Sequence, residues 1–147
     1  GHGKGQLQQP AGAVLLLRFA ETPSVADYLR LRINAGLSPK AEANAIAGLP
    51  HTWFAVVVRR DDRVVGMGRI IGDGGLFFQI VDMAIEPAHQ GRGLGKAIMT
   101  ALMERLHSHA QGAYVSLIAD GEANRLYAQY GFAPTMPKSI GMAQVIR

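Results

Sequence analysis

Asp82-Met83-Ala84-Ile85-Glu86-Pro87-Ala88-His89-Gln90-Gly91-Arg92-Gly93-Leu94-Gly95-Lys96-Ala97 joins an apolar strand pattern to a helix pattern through a loop rich in glycine and cation. Upstream, Phe77 to Ile85 is broken only by Gln79 and Asp82, which predicts a strand buried on both faces. Downstream, Leu94, Ile98, Leu102 and Leu106 recur every fourth residue, with Met99 and Met103 widening the stripe, which predicts an amphipathic helix ending near His109. Glycine lets the chain take positive φ and fold backbone N–H groups around an anion with no Cβ in the way. The helix start adds unpaired N–H groups and the positive end of its dipole, while Arg92 and Lys96 add full charges. The stretch reads as a cradle for a multiply charged ligand such as a pyrophosphate.

Two other glycine loops fail against it. A P-loop needs Gly five residues before the Gly-Lys pair and Ser or Thr after it, where this chain has Gln90 and Ala97. A dinucleotide fingerprint starting at Gly91 meets Lys96 at its third glycine position, and one starting at Gly93 meets Ile98. Nucleotide hydrolysis and hydride transfer lose support.

What remains, Gln90-x-x-Gly93-x-Gly95, resembles the acetyl-coenzyme A loop of the GNAT superfamily of N-acetyltransferases. Met83-Ala84-Ile85-Glu86-Pro87 resembles that family's strand end with its Val-x-Pro exit, and Asn124-Arg125-Leu126-Tyr127-Ala128-Gln129-Tyr130-Gly131-Phe132 resembles its Asn-x-x-Tyr and Gly-Phe segment. The likeness runs from Trp53 to Phe132; the residues before it match only in length and helix placement. It implies an α/β (α+β) GNAT fold with a single mixed sheet of about six to seven strands, mainly antiparallel with a parallel, splayed central pair, flanked by about four helices. In that fold the splayed strands admit the pantetheine arm, whose amides pair with strand edges as an added strand would.

Bulk composition agrees with one domain. At 147 residues and 48% apolar content the chain can bury a core without staples. With no cysteine it has no disulfide, thiolate metal site or cysteinyl acyl-enzyme, so a cytoplasmic setting, no metal and direct acyl transfer are expected. The net charge of +4 comes from scattered cations, the longest cluster being Arg59-Arg60 followed at once by Asp61-Asp62, so no nucleic-acid partner is expected. The run Ala13 to Leu17 is far too short to span a membrane, and no membrane partner is expected.

In chain order, residues 1–12 are expected to be a disordered N-terminus or cloning remnant, and 13–147 a single acetyltransferase domain. A first strand is predicted over Ala13 to Phe19, then a helix from a Thr22-Pro23 start to Gly36, and a second from Ser38-Pro39 to about Ala47. Trp53–Val58 and Val64–Ile71 form a predicted hairpin, with Gly66 and Gly68 marking a bulge or a close backbone approach. Tyr114 to Ile118 is predicted to run parallel to Phe77–Ile85, followed by a helix over Glu122–Tyr130 capped by Asp120 and an edge strand over Ser139–Ile146.

The resemblance implies transfer of the acetyl group of acetyl-coenzyme A to a primary amine in a ternary complex, releasing coenzyme A. An alternative is a degenerate domain that binds acyl-coenzyme A and regulates a partner. Met83, Ala84, Ile85, Gln90, Gly91, Arg92, Gly93, Leu94, Gly95, Lys96, Asn124 and Tyr127 are the expected cofactor-binding positions. A bulge near Met83 to Ile85 would free a backbone N–H for the developing oxyanion. Tyr127 falls where the family keeps its general acid, and a phenol of pKa near 10 suits a thiolate leaving group. Asn124, one turn earlier, either bonds the cofactor or is plain helix surface.

The family's usual base positions fall on Gln79 and Val81, and neither titrates. Asp82 is a base candidate only if a bulge re-aims it, and is otherwise an anchor for backbone or arginine. Glu21, His51, Asp73 and Glu86 are further candidates, as is bulk water. Tyr28, Arg32, Asn34 and Leu37 on the first helical segment, with Gln79 and Val81, are candidate acceptor contacts. The acceptor is expected to be a small-molecule amine, with a protein amine as alternative, and the chain a monomer or homodimer.

Overall fold

The structure, a computed structural model, describes residues 14–147 in full and 4–8 as backbone. The chain divides into two compact units, Gly1–Leu117 and Ile118–Arg147. In the first unit a six-stranded sheet has the order β1 (Lys4–Gln8), β2 (Val14–Phe19), β3 (Phe54–Arg60), β4 (Arg63–Gly72), β5 (Phe77–Ile85) and β6 (Tyr114–Leu117). Every neighbouring pair is antiparallel except β5 and β6, which are parallel as the crossover through a helix requires. The β5–β6 ladder ends at Ile80↔Leu117, so among the described residues 81–85 pair with β4 alone.

Helix α1 (Val25–Asn34) and helix α2 (Glu42–Gly48) cover one face of the sheet, and α3 (Leu94–His109) covers the other. Strand alternation sorts the two cores. Val57, Val64, Met67 and Ala84 pack with Tyr28, Leu31, Ala45 and Leu49 on the side of α1 and α2. On the opposite side Ile98 of α3 lies over Gly66 and Gly68. A Cβ on Gly68 would stand 2.6 Å from Ile98 Cγ2 and 2.7 Å from Met83 Sδ, so this glycine is set by the closeness of α3 and not by backbone dihedrals.

Several expectations shift. Residues 4–8, within the stretch expected to be loose, pair with β2, because an edge strand offers a free row of N–H and C=O groups to any extended chain; the rest of 1–12, and Ala13 at the predicted start of the first strand, lie outside the described residues. Helix α1 starts at Ser24, not Thr22: the Ser24 hydroxyl accepts the Asp27 N–H at 3.1 Å. The expected start at Ser38 is lost because Arg32 takes both its carbonyl and its hydroxyl, and α2 begins only at Glu42. Strand β5 is buried alternately, not on both faces: Phe78, Ile80 and Ala84 are buried while Phe77 is 62% exposed, since its partner β6 is only four residues long and α3 lies chiefly over β3 and β4.

In the second unit, α4 spans Asn124–Ala128, shorter than expected. No strand forms over 139–146, because Ile140, Met142, Val145 and Ile146 all stay exposed and the alternation has no buried face to serve.

Gly68→Ala is expected to cost about 1–3 kcal/mol by overpacking beneath α3. Gly66→Ala, whose Cβ would meet its nearest neighbours at 3.5 Å, should be close to neutral. Urea unfolding of the two variants beside the parent chain checks the contrast.

Candidate active site

The ladder between β4 and β5 pairs Met67 with Ala84 and Arg69 with Val81, leaving Asp82 and Met83 together opposite Gly68. This is a β-bulge, and Asp82 takes φ +58, a left-handed conformation that costs most residues but is tolerated best by Asp, Asn and Gly. The bulge falls one residue before the expected stretch Met83 to Ile85, sharing Met83 with it, and aims the Asp82 carboxylate toward α1.

There it is fully engaged. Oδ1 accepts from Arg32 Nη1 at 2.5 Å and from the Tyr28 hydroxyl at 2.9 Å, and Oδ2 accepts from Arg69 Nη1 at 2.5 Å. The three charged side chains are 6–9% exposed. The arginines are held in turn: Arg32 donates to the Ser38 carbonyl and hydroxyl, and Arg69 Nε donates to Thr52 Oγ1 at 2.9 Å while its guanidinium lies over the Tyr28 ring. Burial, followed by the charge and hydrogen bond of Asp82, raises the Tyr28 pKa, and the phenol stays protonated as a donor. With both oxygens taken by guanidinium and phenol donors, the Asp82 carboxylate is built into the wall as an arginine anchor, which argues against its serving as the base.

A second buried carboxylate fixes the exit of β5. Glu86, 8% exposed, accepts from Arg30, from Arg63 at 2.9 Å and from Asn34 at 3.4 Å, and its N–H donates to the Val65 carbonyl. His89 follows in a turn of 3₁₀ helix, 6% exposed, with no hydrogen-bond partner on Nδ1. Burial, then the positive charges of Arg60 and Arg92, lowers the His89 pKa from the ordinary 6.5, with Glu86 opposing.

The glycine loop comes next. Gln90 Nε2 donates to the Ile85 carbonyl at 3.0 Å, which ties the loop to the strand end. Gly91 at φ +77 and Gly93 at φ +82 take the left-handed region, and Gly93 is the N-cap of α3. Leu94, Gly95 and Lys96 form the first turn of α3.

Gln79 and Val81 are half-buried at ladder positions opposite Ile71 and Arg69. Met83 is half-buried, Ala84 is buried and Ile85 ends the strand. Among the other base candidates, Glu21 pairs with Arg59 and Arg18. Asp73 accepts the amides of Gly75, Leu76 and Phe77, which lower its pKa. His51 is exposed in a 3₁₀ turn, and Glu86 is held by its arginines.

In the second unit Asn124 opens α4, exposed, and Tyr127 sits one turn on, 9% exposed, its pKa raised by burial and then by the charge of Asp120. Asn34 meets Glu86, and Leu37 packs on the α1–α2 core. Sequence reasoning missed Arg69, although an arginine inside the apolar run Val64–Ile71 was a signal that something charged must meet it. Among the described residues no group of three or more His, Cys, Asp or Glu is placed to hold a metal, and no helix is long and apolar enough to cross a membrane.

The family model described as "Acetyltransferase (GNAT) domain" matches residues 33–142. The Staphylococcus aureus protein SA2161, a probable acetyltransferase of unknown function, superposes with TM-score 0.85 at 44% identity, covering 90% of this chain and 99% of that one. A GNAT-family protein of Xanthomonas campestris superposes with TM-score 0.72 at 26% identity, covering 89% and 93%. The soybean protein "Histone acetyltransferase TAP1" is 34% identical over 70 residues, 48% of this chain and 30% of that protein, so the chain spans less than a third of that relative's length.

Asp82→Ala leaves two buried guanidinium groups without a counter-charge and is expected to cost about 3–5 kcal/mol, read as a lower urea midpoint with unchanged slope. His89 gives a pH signature. The unfolded imidazole takes its proton near 6.5 and the folded one only at lower pH, so the unfolded state binds more protons below about 6.5 and stability falls as the solution is acidified. Urea midpoints followed from about pH 7.5 to 5 should fall less steeply in His89→Gln.

Proposed function

We propose, from the premise that this chain belongs to the GNAT acetyltransferase family, that it transfers the acetyl group of acetyl-coenzyme A to a primary amine. The observation that carries the reading is the strand–loop–helix unit: a bulged β5, then Gly91 and Gly93 at positive φ, opening the first turn of α3. Backbone N–H groups of that turn, with Arg92 and Lys96, bind the pyrophosphate of the cofactor. The bulge at Asp82-Met83 takes a backbone N–H out of the ladder, and that donor stabilises the oxyanion of the tetrahedral intermediate.

The amine nitrogen attacks the thioester carbonyl carbon, the C–S bond breaks, and the departing sulfur takes the proton of the Tyr127 phenol. A raised phenol pKa keeps that proton in place until the thiolate forms. Asp82 is occupied and Gln79 and Val81 cannot titrate, so the amine gives its proton to water, and the Tyr127 phenolate takes a proton back from solvent to close the cycle. The acceptor is a small-molecule amine, not a nucleic acid.

Calorimetric titration with acetyl-coenzyme A tests the donor: absence of heat at millimolar cofactor overturns the reading. Tyr127→Phe should lower kcat by about 10²–10⁴-fold with cofactor affinity little changed. Equal turnover removes Tyr127 as the acid, and binding without thiol release on an amine panel leaves a coenzyme-A-binding domain without chemistry.

A further inference from the structure

Beside the Asp82 cluster is a cavity of about 80 Å³ between α1, α2 and β4, lined by Tyr28, Lys40, Asn44, Ala45, Gly48, Leu49 and Arg69. Its polar lining side chains are Lys40, Arg69, Asn44 and the Tyr28 phenol, with no carboxylate among them. Arg69 lies in its wall, 7% exposed. Nη1 of that guanidinium is taken by Asp82 and Nε by Thr52, while Nη2 has no hydrogen-bond partner among the described residues. Lys40 at the rim is exposed and likewise has no ion-pair partner among them. The buried cluster itself is unbalanced: Arg32 and Arg69 share the single negative charge of Asp82, which leaves one positive charge over.

A cluster with one positive charge in excess, set in the wall of a small cavity, favours an anion that fills it. The volume admits a small charged group on a short chain. A carboxylate oxygen can accept from Arg69 Nη2, with Lys40 as a second charge and Asn44 as a further donor. The Arg69–Asp82 bond couples this wall directly to the bulge of β5.

We propose that the cavity binds the carboxylate of the acceptor, so that the amines this chain acetylates are aminocarboxylates, held by Arg69, Lys40 and Asn44 and presented toward the bulge. The reaction half of this inference rests on the acetyl-transfer reading; the binding half does not.

The test has two arms. In the first, glycine, β-alanine and γ-aminobutyrate, their carboxamides and the matching aminophosphonates are titrated into the whole chain while backbone amide signals of residues 40–49 are followed by NMR. The carboxylates are expected to shift those signals and the carboxamides not, with binding about fivefold weaker in Lys40→Ala and weaker still at high salt. In the second, thiol release from acetyl-coenzyme A is measured on the same panel, with kcat/KM expected to favour carboxylates over carboxamides by about tenfold or more. Equal shifts, or equal kcat/KM for carboxylate and carboxamide, overturn the inference, and a tenfold preference for phosphonates overturns its choice of anion. Shifts with carboxylates but no thiol release from any amine leave the cavity assignment standing and sink acetyl transfer. Thiol release with no preference does the reverse.

Discussion

The Asp82 carboxylate, shared between Arg32 and Arg69, is the contact on which the first unit depends. Bringing two guanidinium groups and a carboxylate out of water costs several kcal/mol per ion, and Coulomb attraction offsets it only where the remaining donors and lone pairs are met. Here most are: Tyr28 fills a third acceptor site on Asp82, Ser38 takes two donors of Arg32, and Thr52 takes Arg69 Nε. Each partner comes from a different segment, so the network joins α1, the loop before α2, the loop before β3, β4 and β5 in one fixed arrangement. It also holds Asp82 in a left-handed conformation, and a strained residue persists only where its surroundings over-determine it.

That arrangement governs the chain beyond the bulge. The bulge adds a residue to β5 opposite Gly68, and the missing side chain at Gly68 leaves room for Met83 on one side and for Ile98 and Leu102 of α3 above. Glu86 then fixes the strand exit to α1 and β4 through Arg30, Asn34 and Arg63. Two carboxylates four residues apart thus clamp the end of β5 from the α1 side while α3 presses on it from the other. The glycine loop springs from a rigid base, and its own positive-φ residues need only make the turn.

This hierarchy explains what could be read from the sequence. The loop and the helix after it were legible because positive φ has few solutions other than glycine and a helix stripe repeats every three to four residues. The bulge was legible in place through the likeness to a known family, but the fate of Asp82 was not: a lone carboxylate in a strand pattern does not say whether a base or an anchor is meant until its partners, thirteen and fifty residues away, are in position. The same competition misplaced α2, since Ser38 reads as an N-cap until Arg32 claims it. Lys4–Gln8 and 139–146 were misread in opposite directions, because strand formation at an edge depends on whether a neighbour offers a free ladder rather than on the residues themselves.

Under the proposed transfer, in which the amine gives its proton to water, the charge left over in the Asp82 cluster matters. An ammonium ion brought toward two arginines sharing one carboxylate meets net positive charge in a poorly solvated site, which lowers its pKa and favours the neutral nucleophile. The same field attracts a carboxylate. In that proposed transfer an acceptor carrying both groups is sorted by orientation, with its carboxylate against Arg69 and its amine toward the bulge. Under the proposed transfer this orientation supplies specificity, because an amine without the carboxylate meets the repulsion and gains no compensating attraction. Under the same proposal the donor side is the glycine loop with Arg92 and Lys96, and the acceptor side rests on the cations Arg69 and Lys40.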